Sequence, residues 1–197
     1  MTRFDLLDNL VENGNGYLCT SQVLESGISK PTLADYVSKR NMERVAHGVY
    51  LAEDAWSDEL YLLYLSNKRI IFSHETALML HGLMEREPNK TSVTVQAGYN
   101  STHLRKKGIQ VYQVKPDVYE VGVVEVQTRF GNTVCAYDME RMICDVLRYK
   151  DTMDVQIFQY AMKEYMASAH KNLNHLMEYA KRFQIESAMR TYTEVML

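Results

Sequence analysis

Cysteine is scarce and unpatterned: Cys19, Cys135 and Cys144 form no CxxC pair. That spacing excludes the common zinc and redox-dithiol arrangements and predicts free thiols in a reducing cytoplasm. No apolar run approaches the roughly 20 residues of a membrane helix. The opening MTRFDLLDNLVENG is acidic and amphipathic, unlike the apolar core of a secretory leader. Internal repeats and low-complexity linkers are missing as well. So are G-x-S-x-G, a P-loop, a dinucleotide-type glycine fingerprint and H-E-x-x-H. These absences predict a cytoplasmic protein with no membrane partner, no cofactor, no metal and no enzymatic activity.

A basic excess is absent too. Net charge is −3; residues 1–53 hold five Lys/Arg against seven Asp/Glu, residues 54–150 twelve of each, and residues 151–197 five against six. Nonspecific coating of nucleic acid is excluded on those counts, so any DNA contact must come from local segregation of charge.

What the chain does have is ordinary globular composition, 46% hydrophobic and 24% charged over 197 residues, enough to bury a core. Phe4, Leu7, Leu10 and Val11 follow helical spacing, with Asp5, Asp8 and Glu12 on the outer face. A short second helix runs from a Thr20 cap to Gly27. After the turn SGIS, a third helix starts with Ser29 as cap and Pro31 in its first turn, and buries Leu33 and Val37. Met42–Leu51 has strand character with a turn at His47-Gly48. Three helices followed by a hairpin predict a winged helix-turn-helix over residues 1–53.

Residues 54–197 predict a second domain, giving an α+β chain. Its sheet-containing part, 54–150, should hold a helix capped by Ser57, a helix running from a Ser73 cap to Gly82, about four antiparallel strands, and a helix capped by Asp138. The part 151–197 is helical, with apolar stripes Val155/Phe158/Met162/Tyr165/Ala169, Leu173/Leu176/Met177/Ala180 and Ile185/Ala188/Met189/Tyr192/Met196.

With Leu33 and Val37 inward, the third helix should turn Lys30, Thr32, Tyr36, Lys39 and Arg40 outward. The first residues of a groove-bound helix meet base edges, which makes Thr32 and Tyr36 candidates for base contact. Lys30, Lys39, Arg40 and Arg44 are candidates for phosphate contact. Ser21 and Gln22 open the second helix, where backbone N–H groups favour a phosphate, and His47 sits at the wing turn. Helix one, carrying the acids, should face away from DNA. The same charges also suit a plain solvated face, in which case the winged helix would serve as a protein-interaction module.

Two further patterns are weaker. Asp117, Glu125 and Gln127 resemble the P-D…E-x-K arrangement of metal-dependent nucleases, but Gln127 stands where the Lys would be; turn chemistry at Pro116-Asp117 explains the pattern as well. His74 and His81, two helical turns apart, are too distant for one metal without other ligands and suit capping or half-buried positions.

SQVLESGISKPTLADYVSKRNMERVAHGVYLAE, FSHETALMLHGL and VCAYDMERMICDVLR, in that order over about residues 20–148, resemble the AbiEi-like abortive-infection antitoxins. In that family a helix-turn-helix precedes an "ervarGvY" stretch. Ser-x-x-x-Ala-Leu-x-x-His-Gly-Leu and Asp-x-Glu-Arg-x-x-x-Asp-Leu elements follow it. Asp138, Glu140, Arg141 and Asp145 match the last element; His47 replaces a frequent Arg, and Met142 a frequent Thr. The resemblance implies a type IV antitoxin that counteracts a nucleotidyltransferase-like toxin without requiring a stable complex. It also implies an autorepressor of its own operon, with operator DNA, arranged as inverted repeats that pair two copies, as the other partner. Arg141 and Asp145, at i and i+4, should support the fold. The alternatives from the residues are a nuclease targeted by a winged helix and a ligand-sensing transcription factor.

Overall fold

This computed structural model describes residues 2–84 and 86–196, the Met196 side chain of the third stripe lying outside the described residues. The chain divides into two compact units, one made of Met1–Lys68 with Gln127–Val134, the other of Arg69–Val126 with Cys135–Leu197.

In the first unit, α1 (Arg3–Asn13) opens on a capping box: Thr2 Oγ1 accepts from Asp5 N, and Asp5 Oδ2 accepts from Thr2 N. β1 (Tyr17–Cys19) runs directly into α2 (Thr20–Glu25). Cys19 therefore occupies the cap position expected of Thr20, and Thr20 N donates to Gly48 O at 2.8 Å instead. α3 (Lys30–Lys39) is capped as expected by Ser29, whose hydroxyl accepts from Thr32 N. β2 (Glu43–Ala46) and β3 (Val49–Leu51) form a hairpin with Gly48 at φ +69° and a register slip between Arg44 and Ala46. β3 also pairs with β1, giving the antiparallel order β1-β3-β2.

Two apolar clusters hold this unit. Leu7, Leu18, Val23, Ile28, Leu33 and Tyr36 join the helices to β1. Tyr17, Cys19, Val49 and Leu51 are covered by Tyr61, Leu62 and Leu65 of α4 (Glu59–Ser66), which is capped by Asp58 rather than Ser57. α4 thus covers one face of the sheet, and the compact unit runs on to Lys68, past the boundary expected at residue 53. Residues 127–134 join the same unit through hydrogen bonds. Asp58, 2% exposed, accepts at Oδ2 from Thr128 Oγ1 and from Asn132 Nδ2. Asn15 Nδ2 donates to Gly131 O and Asn132 Oδ1.

The second unit contains β4 (Ile71–Phe72), α5 (His74–Leu80), β5 (Ser92–Gln96), α6 (Thr102–Lys106), β6 (Gln110–Val114) and α7 (Pro116–Tyr119), with the parts of β7 (Val123–Gln127) and β8 (Thr133–Tyr137) that lie outside residues 127–134. α8 (Met139–Arg148), α9 (Val155–Ala167), α10 (Leu173–Arg182) and α11 (Glu186–Met196) follow. The sheet is mixed, not antiparallel. In the order β6-β5-β4-β8-β7, β5/β6 and β4/β8 are parallel while β4/β5 is antiparallel. The reason is a crossover: α6, absent from the sequence expectation, lies between β5 and β6, and a parallel pair needs such a connection.

α8 is buried from Glu140 to Leu147 and packs with α5, α9 and α10, so the helical part 151–197 shares one unit with the sheet. Within the stripes, Phe158, Met162, Tyr165, Leu176, Ala180 and Met189 are buried as expected. Val155 is 62% exposed, Ala188 is exposed, and Ala169 falls beyond the end of α9.

Gly122 lies at φ +77°, and a Cβ there would stand 2.8 Å from Arg141 Cβ. Both the backbone and the space reject a side chain. Gly122→Ala is expected to lower stability by about 2 kcal/mol or more, read as a shifted denaturation midpoint.

Candidate nucleic-acid interface

α2 and α3 meet through a turn in which Gly27 adopts φ +76°, a conformation a side chain would strain. Lys30, Pro31, Ala34, Asp35, Ser38 and Lys39 form the exposed face of α3. The β2–β3 turn sits at the start of α2, tied there by the Thr20 N to Gly48 O bond. Exposed Ser21 and Gln22 thereby share one end of the unit with exposed His47. Arg44, exposed on β2, places Nη2 3.2 Å from His47 Nδ1. The guanidinium is the donor, so this bond requires an unprotonated Nδ1.

Three expected contacts change. Tyr36 is not outward: it is 2% exposed and packs edge-on to Phe4 at 5.2 Å, with its hydroxyl donating to Asp8 Oδ1 at 2.7 Å. Burial first, then the Asp8 carboxylate, pushes that hydroxyl up to about 12, so it stays a donor. Arg40 also belongs to Asp8, donating Nη2 to Oδ2 at 2.6 Å, and it lines a hollow shared with Glu12, Glu53 and Asp54. Arg40 is exposed as expected, 52% in its side chain, but its guanidinium stands among carboxylates, a poor setting for a phosphate. Asp8 is accordingly turned onto α3 rather than to the outer face of α1.

Thr32 is half-buried, with its hydroxyl 2.9 Å from Ser29 Oγ; the cap shares the group that was to reach a base. Lys39 pairs with Asp35 at 2.9 Å, both more than half exposed, a contact weak enough for a phosphate to displace. Sequence reasoning missed Ala34 and Ser38. The available signal was Tyr36 three residues after Leu33, which rotates the inward seam and turns 30, 31, 34, 35 and 38 out.

In the second unit the FSHETALMLHGL and YDMERMICDVLR segments come together. α5 packs on α8, and His81 Nε2 donates to Tyr137 O at 2.8 Å. Arg141 is fully buried. It donates to Asp145 Oδ2 at 2.9 Å and to the Val118 and Val121 carbonyls, with its guanidinium 4.1 Å from the Tyr137 ring centre and 4.6 Å from that of Phe183. His74, 2% exposed and at φ +49°, stacks on Tyr112 at 3.5 Å, and its Nδ1 is 3.1 Å from Ser73 Oγ. Burial pulls its ring down to about 4. Ser73 takes the cap position of α5 without a side-chain cap bond. Asp117 and Glu125 are both exposed. Among the described residues no group of three or more His, Cys, Asp or Glu side chains is placed to hold a metal ion. Among the same residues, no helix is long and apolar enough to cross a membrane.

No family model matches the chain, and the curated proteins give no match. The chain is similar in fold to the crystal structure of the Rv2827c protein from Mycobacterium tuberculosis. The TM-score is 0.55 at 11% identity, over 89% of this chain and 70% of that one.

Proposed function

We propose that this chain is a cytoplasmic DNA-binding transcriptional repressor of its own operon that also serves as an antitoxin. The observation that carries the DNA reading is the arrangement of the first unit. An exposed helix α3 follows a tight turn from α2, beside a β2–β3 turn bearing Arg44 and His47. That is the element order of a winged helix-turn-helix, whose second helix enters the major groove. Pro31, Thr32, Ala34 and Ser38 then face base edges, while Lys30, Lys39 and Arg44 meet phosphates. The antitoxin role, without a catalytic step, rests on the AbiEi-like resemblance; the packing of its two later segments on each other supports that reading. The expected partners are operator DNA and a nucleotidyltransferase-like toxin.

Titration of duplex from the chain's own upstream region, at several salt concentrations, tests the first part. Three phosphate contacts give a log–log salt slope near −3 per protomer. Lys39→Ala is expected to flatten it by about one, whereas Arg40→Ala leaves it unchanged. A slope insensitive to Lys30, Lys39 and Arg44 would remove the interface. Restoration of growth on co-expression with the neighbouring toxin tests the second part.

A further inference from the structure

The first unit carries a second surface whose chemistry is opposite to that of a DNA face. Trp56, the chain's single tryptophan, is 79% exposed, and among the described residues no other ring or cation covers it. It lines a hollow of about 350 Å³ with Glu12, Asp54, Phe130 and the side chains of Asn15 and Asn132. A large indole left in water beside a formed hollow marks an interaction site more than a lone exposed aliphatic does. The floor is held firmly: Asn132 is 4% exposed and bound on both sides, by Asn15 and by buried Asp58. On one wall Gly16 approaches Ala55 so closely that a Cβ at Gly16 would overlap the Ala55 side chain.

The charge selects the occupant. Glu12 and Asp54 are exposed, and among the described residues neither has an ion-pair partner. An adjoining hollow of about 630 Å³ shares Glu12 and Asp54 and adds Asp8 and Glu53; Arg40, which also lines it, is held by Asp8. An anionic partner is repelled here, and a neutral apolar one would strand the carboxylates. An indole face with two carboxylates suits a cationic side chain, since Trp is the strongest aromatic partner for Lys or Arg. The chain itself uses this chemistry on the neighbouring wall, where the Arg129 guanidinium lies 4.9 Å from the Phe130 ring centre.

We propose that this hollow docks a basic segment of a partner protein, one Arg or Lys side chain standing between the Trp56 ring and the carboxylates of Glu12 and Asp54. The adjoining acidic hollow takes the next basic residue along. The proposal does not depend on DNA binding, and its test contains no DNA.

The test uses the full chain and its single indole as reporter. The probe is an acetylated, amidated Arg-Gly-Arg-Gly-Arg peptide, and the control carries Glu at the three Arg positions. The Arg peptide is expected to change the Trp56 emission saturably, and the Glu peptide to leave it unchanged. Glu12→Gln with Asp54→Asn should weaken the Arg peptide about tenfold, since it removes two charges from the site. Trp56→Leu, followed by calorimetry, should weaken it about fivefold. All three positions are exposed, so the variants keep the fold. Equal responses to both peptides, no response to either, or unchanged affinity in the carboxylate variant would overturn the proposal.

Discussion

Asp145→Ala is expected to lower folding stability by about 3–5 kcal/mol, more than any other single substitution considered for this chain. Asp145 is 3% exposed and accepts from two arginines, Arg141 Nε at 2.9 Å and Arg148 Nη1 at 3.0 Å. Arg141 is fully buried, so losing the carboxylate leaves a cation in a weakly polarisable interior. Two backbone carbonyls and two ring faces remain to it, which orient the charge but do not neutralise it. Replacing both partners by apolar residues removes that orphaned charge, so Arg141→Met with Asp145→Leu should recover most of the loss. Arg148 is 31% exposed in its side chain, and Arg148→Ala should cost about 1 kcal/mol or less. Urea denaturation with a constant slope separates these outcomes. A loss below about 1 kcal/mol for Asp145→Ala would contradict the buried-pair account.

The second large effect is acid lability centred on His74. Burial against Tyr112 and Tyr149 is the dominant influence on the ring; Asp145 favours its charged form, while Arg141 and Arg148 oppose it. Its folded value of about 4 lies below the ordinary 6.5. Between those values the unfolded chain takes up a proton that the folded chain refuses. Stability from this group is therefore complete above the ordinary value and falls as pH drops toward 4. The loss between about pH 7.5 and about pH 4.5 is on the order of 2–3 kcal/mol. Half-buried Asp138 and Glu75 are both shifted upward, chiefly by desolvation, so they act in the opposite direction at the acid end and blunt the total. The His74→Asn difference isolates the histidine. Asn tolerates the left-handed backbone at φ +49° and does not titrate. Equal pH dependence in the two proteins, measured by denaturation midpoints, would contradict the assignment.

What could be seen in the sequence follows the range of the interactions involved. The Ser29 and Asp138 caps, the glycine turns at 27 and 48, and the Arg141–Asp145 spacing act within four residues and were legible. Tyr36 was misplaced because its hydroxyl is satisfied by Asp8, 28 residues away; a tyrosine at a helical position reads equally well as a surface ring. Arg141 looks like a surface charge until the Val118 and Val121 carbonyls close around it. Strand order is equally nonlocal. β4 lies between β5 and β8, and no local pattern distinguishes that order from a simple meander. The contribution of residues 127–134 to the first unit depends on Asp58 and Asn15, more than 60 positions earlier.

Sequence discrimination on duplex DNA tests the central claim most directly. The full chain is titrated at about 150 mM salt with duplex from its own promoter region and with a shuffled duplex of equal length and composition. A repressor reading bases through α3 is expected to bind its own sequence about 10³-fold or more tightly than the shuffled one, with the ratio falling in Thr32→Ala. Equal affinity for the two duplexes, or no binding to either, would contradict the assignment of α3 and the β2–β3 turn as a DNA-reading surface.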